Sequence, residues 1–309
     1  MVDAQMPVHP EQSPRLSSHS GVLVREDVAF ANPQGVEKGG IRKRAEQLLD
    51  KLQEPLRKFL EPNEAVFCIV RAQIRPSGVE QFMLGWQAFL LSPAVLVITN
   101  RRVIHMLVNR SANWRHSFRY TLWGDMEEAK VKGMIGGTLH LKFRNGKKEV
   151  YAGLNRNDVK TLKRFLEVVV PAGSHETSSY QGMTNLCPEC RAPLTPGIYE
   201  CPQCRKAFKS EQTAARRSWL IPGGGFFYTG HAVLGVLHGL LEIILIVAAL
   251  YWVLVALGVA TQTPDPGQEP LDKTSSFIVA AMVGAILAGE KWAMASVAKK
   301  QARNYLPAA

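Results

Sequence analysis

Cys187-Pro188-Glu189-Cys190 and Cys201-Pro202-Gln203-Cys204 are two Cys-x-x-Cys pairs separated by ten residues. Two such pairs at that separation can put four thiolates at the corners of a tetrahedron, the geometry a structural Zn²⁺ accepts. In each pair the proline stiffens the turn and leaves the amides beyond it free to point at sulfur, and Pro196-Gly197 between the pairs marks a hairpin tip. Cys187, Cys190, Cys201 and Cys204 are therefore the expected ligands of one structural zinc ion. The competing chemistry is two disulfides or a redox pair, and a disulfide framework belongs to small secreted domains. This cluster instead lies on the basic side of a long apolar run that begins near Gly230. Four sulfur ligands leave zinc no open position, so the pattern predicts a metal that holds structure. Cys68 lies apart in the apolar run Ala65 to Val70 and reads as a buried small hydrophobe.

Downstream of the cluster, Arg205, Lys206, Lys209, Arg216 and Arg217 form a basic approach, followed by Trp219 and the small, aromatic segment from Pro222 to Gly230. From Gly239 to Ala260 the only charged residue is Glu242, and about 20 apolar residues suffice to cross a bilayer. The expectation is a transmembrane hairpin over 218–300, with spans at about 232–260 and 276–298 and a tail from 301 to 309. The connecting loop from Thr261 to Thr274 is acidic, whereas Lys and Arg flank the outer ends of both spans. By the positive-inside rule this predicts a multi-pass protein of the cell (inner) membrane with both termini cytoplasmic. Gly235 and Gly239 on one span, and Ala280, Gly284 and Ala288 on the other, are spaced for close helix approach, within the hairpin or between copies. His238, Glu242, Glu290 and Lys291 are ionisable groups at or near membrane depth, with an interfacial role weighed against a functional polar site.

Upstream, the 309-residue chain carries a formal net charge of +11 and 46% hydrophobic residues, more than one core's worth of sequence. From Arg101 to Arg164 there are fifteen Lys or Arg against five Asp or Glu, which implies a basic soluble domain. Residues 1–40 show no sustained periodicity and predict a disordered lead. Ile41, Ala45, Leu48, Leu49, Leu52, Leu56, Phe59 and Leu60 fall at helical spacing, and Pro55 predicts a break. The basic face of that helix, Arg42, Lys43 and Arg44, suits anionic lipid, as do Lys147, Lys148, Arg216 and Arg217; packing of the helix on the next domain is the alternative.

Short β-rich runs follow at 65–74, 82–91, 95–98, 103–108, 118–122, 138–143 and 148–152, bounded by turn residues. Asn145-Gly146 supplies a tight turn. Asn157 is placed to cap a helix carrying Val159, Leu162, Phe165, Leu166 and Val169 on one face. The fold expected over 41–170 is α+β, an antiparallel barrel closed by a C-terminal helix. Residues 171–183, rich in Ser, Gly and Thr, predict a flexible linker to a small metal-binding module over 184–210.

Three resemblances follow from these motifs. Val97 to Ile104 with its Thr99-Asn100-Arg101-Arg102 turn, Gly136 to Leu141 and the closing helix resemble a bacterial pleckstrin-homology (PH) domain of the YokE-like group, which implies a binding platform without catalytic residues. The four-cysteine module resembles a zinc ribbon, with Arg191 and Arg205 where that family usually has glycine. Pro222 to Gly230 matches Pro-Gly-x-Gly-x-x-Tyr-x-Gly and resembles the two-transmembrane-helix domain family. The sequence therefore predicts a non-enzymatic, membrane-anchored adaptor that binds membrane lipid or a protein partner. The alternative is a membrane-tethered nucleic-acid-binding regulator, which the scarcity of aromatics in the ribbon disfavours. No His-Glu-x-x-His, Gly-x-Ser-x-Gly or nucleotide loop occurs.

Overall fold

The computed structural model describes residues 15–32, 36–133, 136–169, 176–262 and 270–308. They fall into two compact units, one containing the chain up to Ser77 together with Trp86–Ala207, the other Gly78–Gly85 and Phe208–Ala308.

The first unit is one large, open, mostly antiparallel sheet. Its strands are β1 (Leu16–His19), β2 (Val22–Arg25), β3 (Val66–Ile74), β4 (Pro93–Thr99), β5 (Arg102–Val108), β6 (Trp114–Leu122), β7 (Met126–Lys132), β8 (Gly137–Phe143), β9 (Lys148–Leu154), β10 (Thr184–Leu186) and β11 (Pro193–Leu194). The order is β11-β10-β6-β5-β4-β3-β9-β8-β7, with the β1–β2 hairpin attached to β3 through a parallel Val24–Val66 pair. The expected closed barrel is thus an unclosed sheet. Both faces of its centre are covered. Helix α2 (Gly39–Phe59) lays Leu48, Leu49, Leu52, Leu56 and Phe59 on the face that carries Ile69, Val95, Val97, Ile104 and Met106. Helix α4 (Arg156–Val169) lays Val159, Leu162, Phe165 and Leu166 on the opposite face, against Phe67, Val70, Leu96, Ile98 and Leu141. Alternate residues of β4 therefore feed two different cores, which is why the strand is hydrophobic at almost every position.

Several expectations are corrected. The expected disordered lead carries structure over 15–32: besides the hairpin, short helix α1 (Glu26–Ala29) buries Val28 and Ala29, while residues 1–14 and 33–35 lie outside the described residues. Helix α2 runs through Pro55 unbroken: the proline removes one amide bond, while Leu52, Leu56 and Phe59 on either side stay anchored in the core. The run 82–91 is not a strand but helix α3 (Gly78–Leu84) followed by a 3₁₀ turn over Gly85–Leu90. Its apolar residues do not alternate, and Phe82 and Trp86 are exposed. Asn155, not Asn157, caps α4, its Oδ1 accepting from the amides of Asn157 and Asp158. Finally, the expected flexible linker is bonded to the sheet over 176–183: the Ser178 amide donates to Asp125, and Asn145 donates to the carbonyls of Tyr180 and Gln181.

The second unit contains α5 (Glu211–Leu220), α6 (Gly224–Tyr228), α7 (Ala232–Ala256) and α8 (Lys273–Ala302), with α3 beside the end of α8. Helices α7 and α8 are long and apolar enough to cross a membrane. Ala214 of α5 meets Ala298 and Ala302 of α8, all fully buried, and this small-on-small contact lets the helices lie close. The C-terminal segment folds back, with the Lys209 amide donating to the Leu306 carbonyl.

Pro222 to Gly230 works as a packing device. Gly223 has φ +65°, and a Cβ there would lie 1.9 Å from the Gly235 carbonyl oxygen. Gly235 in turn meets the Phe227 ring and Gly239 the Pro222 carbonyl, so the spaced glycines of α7 receive this segment rather than α8. The Tyr228 hydroxyl accepts from the Ser210 amide, and its ring lies under the Arg217 guanidinium.

Candidate metal centre

The two Cys-x-x-Cys turns repeat the same backbone device. The Arg191 amide donates to the Cys187 carbonyl and the Cys187 amide to that of Ala192; the Arg205 amide donates to Cys201 and the Cys201 amide to Lys206. Each turn closes on a residue in the left-handed region, Arg191 at φ 65° and Arg205 at φ 58°. Glycine would adopt this conformation freely, so with arginine the turns keep their geometry at a conformational cost of roughly 1–2 kcal/mol each. Between them the Ile198 amide closes a turn on Thr195 around Pro196-Gly197.

The four Sγ atoms lie within 4.8 Å of one another. Cys187 and Cys204 are 3.6 Å apart and Cys190 and Cys201 3.5 Å, and none of the four is in a disulfide. A zinc–sulfur bond of about 2.3 Å gives tetrahedral sulfur–sulfur edges of about 3.8 Å, so the thiols stand close to the separation a metal would impose. Among the described residues these four form the group able to hold a metal ion. As thiols they are unequal. Burial pushes Cys187 up to about 12. Burial acts the same way on Cys201, but the amides of Cys204 and Gln203 and the neighbouring thiols outweigh it and bring it down to about 7. Cys201 is thus a readily formed thiolate, and a metal bound here would displace the proton that burial favours on Cys187.

The metal module belongs to the first unit's sheet. Strand β10 pairs with β6 from Thr184–Tyr120 to Leu186–Phe118. The first cysteine turn also clasps the end of α2: Lys58 Nζ donates to the Pro188 carbonyl (2.7 Å), and the Arg191 guanidinium donates to the Lys58 carbonyl (3.0 Å). Lys206 bridges the two turns by pairing with Glu189 at 3.1 Å.

Other candidate residues are scattered. Arg42 is bound to Glu37 and Glu46, while Lys43, Arg44, Lys147, Lys148, Arg216 and Arg217 are exposed. In the second unit His238, Glu242, Glu290 and Lys291 converge: Lys291 pairs with Glu242, and His238 Nδ1 lies 3.0 Å from Glu290. The sequence reading missed the backbone partners here, the Ser218 carbonyl and Gly223 amide, because nothing in residue type marks them. It also missed Glu64, which receives Arg102 in a buried two-point bond at 2.9 and 2.7 Å. The Thr-Asn-Arg-Arg turn thereby joins β4 to β5 internally, with Arg102 also capping α2 at the Phe59 carbonyl and the Ala65 amide donating to Asn100. Comparison of the chain with family models, curated proteins and solved structures finds no match.

Proposed function

We propose that this protein is a non-enzymatic adaptor anchored in the cell membrane by the α7–α8 hairpin, with a structural zinc ion and a PH-like platform on the cytoplasmic face. One observation carries the anchoring. Helices α7 and α8 leave most of their apolar length uncovered, including Leu240, Ile244, Val247 and Leu254 on α7 and Ile278, Met282 and Ile286 on α8. The core helix of a soluble protein would bury these side chains; an apolar surface on this scale calls for lipid.

The strand order β6-β5-β4-β3-β9-β8-β7 with α4 after the last strand supports the PH-like reading. The closed four-sulfur set supports a structural role for zinc. The platform's target is an anionic lipid surface or a protein partner. The basic stretch gives less support to nucleic acid than its composition suggests, because Arg101, Arg102, Arg119, Lys130 and Lys142 each pair with a carboxylate. Lys43, Arg44, Lys147 and Lys148 remain as exposed charge for an anionic surface, each worth roughly 1 kcal/mol beside a membrane.

Orientation is tested with single cysteines read by a membrane-impermeant maleimide in intact cells. Thr261→Cys, in the loop between the helices, is expected to label and Ser210→Cys is not. The reverse pattern contradicts the orientation, and labelling of neither or both contradicts the hairpin. Preferential binding of the full chain to nucleic acid over anionic vesicles at equal ionic strength would favour the nucleic-acid regulator instead.

A further inference from the structure

Helix α5 changes character along its axis. Arg216 and Arg217 near its end are exposed, and just beyond them Trp219, Leu220 and Ile221 keep 49%, 69% and 51% of their accessible surface. Three consecutive large apolar side chains left uncovered at a helix end are a liability in water.

Packing fixes where this end lies. Ala214 rests on Ala298 and Ala302 of α8, and one turn later the Ser218 carbonyl accepts from Lys291 at 3.0 Å. Helix α5 therefore runs antiparallel to α8 and points toward the middle of that apolar helix. The turn that follows meets α7 well inside its length: a Cβ on Gly239 would lie 3.2 Å from the Pro222 carbonyl oxygen, and the Gly223 amide donates to Glu242 at 3.3 Å. A hydrocarbon layer takes about 20 residues of helix at 1.5 Å each. Centred on α7 (Ala232–Ala256), such a layer begins near Leu234 and places Gly239 roughly 8 Å inside it. At this level Val236, Leu237 and Leu240 of α7 are exposed as well, so the surface of the hairpin there is apolar.

A helix end inside lipid has to satisfy its backbone without water. Much of that need is met here. The Arg217 carbonyl accepts from the Ile221 amide, the Ile221 carbonyl from the Gly224 amide and the Ser218 carbonyl from Lys291, whose charge Glu242 offsets. The buried Lys291–Glu242 pair thus caps both sides of the turn, one partner on the carbonyl before it and the other on the amide of Gly223. A Cβ on Gly224 would lie 2.4 Å from the Arg217 carbonyl oxygen, so glycine lets α6 close directly against α5.

We propose that the turn between α5 and α6 is a re-entrant tip seated in the cytoplasmic leaflet, where Trp219, Leu220 and Ile221 contact acyl chains and Arg216 and Arg217 lie a turn shallower, beside the lipid phosphates. The inference rests on the anchoring of the hairpin proposed above and adds a lipid contact that neither span provides.

The test is electron paramagnetic resonance of the full chain in phospholipid vesicles, with a nitroxide on one introduced cysteine and the signal of the labelled, unsubstituted chain subtracted. Oxygen concentrates in the bilayer and a nickel chelate stays in water, so the ratio of their effects reports depth. Three positions are compared: Leu220→Cys at the tip, Gln212→Cys at the start of α5 and Leu240→Cys on α7. All three side chains are exposed, so the substitutions remove little packing, and circular dichroism verifies folding. The ratio at Leu220→Cys is expected to approach that at Leu240→Cys and to exceed that at Gln212→Cys. A ratio at Leu220→Cys equal to that at Gln212→Cys, with Leu240→Cys in lipid, overturns the re-entrant tip and leaves the anchoring intact. Nickel access at Leu240→Cys overturns both.

Discussion

Arg102 ties three elements of the first unit together from within a turn. Its guanidinium meets Glu64 at two points and caps the end of α2, and Thr99 donates to the same carboxylate at 2.8 Å. Both partners of this pair are buried, so removing one leaves the other charge uncompensated, which costs far more than the pair contributes relative to apolar residues. Arg102→Met is expected to lower the unfolding free energy of this unit by about 3–5 kcal/mol, and adding Glu64→Met should recover most of that loss. Denaturant unfolding measures both; a single-variant loss under about 1 kcal/mol would contradict the account. The sequence showed the Thr-Asn-Arg-Arg turn but not its purpose. Glu64 and Glu61 flank Pro62-Asn63 with nothing in the sequence to single out either, and only the folded chain brings Glu64 to Arg102.

At the scale of elements, periodicity proved legible where a single face is buried and misleading where it is not. The spacing of Leu48, Leu52, Leu56 and Phe59 identified α2, and Leu139, Leu141 and Phe143 identified β8. The apolar residues of 82–91 gave a false strand, because Phe82 and Trp86 carry no packing information when exposed. Strand β7 was missed for the opposite reason: Met126–Lys132 is an edge strand rich in Glu and Lys, and its identity comes from pairing with β8. Helix α4 makes a further prediction through Asp158 in its first turn. Burial raises this carboxyl to about 6 from an ordinary value of 3.8, against the opposing bond from Asn155. With the folded value above the unfolded one, the folded chain binds the proton more tightly. Stability from this group is therefore complete below about pH 4 and is lost as pH rises through about 6. The loss is at most about 3 kcal/mol, and smaller because the side chain is partly exposed. Asp158→Asn should flatten the stability profile between about pH 4 and 6. An unchanged slope in unfolding measured across that range would contradict it.

Across the whole molecule, the chemistry lies in places that sequence reveals unequally. The cysteine spacing alone picked out the four residues whose sulfurs converge, since a Cys-x-x-Cys turn is a local device. The attachment of that module to the sheet was hidden, because β10 has three residues and the bonds from Lys58 and Arg191 join positions more than a hundred residues apart. The polar pocket was half visible: His238 and Glu242 share a helix face, but their pairing with Glu290 and Lys291 depends on how two helices pack. The metal centre should therefore act beyond its own residues, since β10 and the end of α2 are fastened to it. The most direct measurement is metal analysis of chain purified without chelator, combined with mass spectrometry of its thiols. One zinc per chain, four thiols freed on chelation and earlier melting of the first unit once the metal is removed are the predicted result. Chain without metal, or with Cys187, Cys190, Cys201 and Cys204 joined in disulfides, would contradict it.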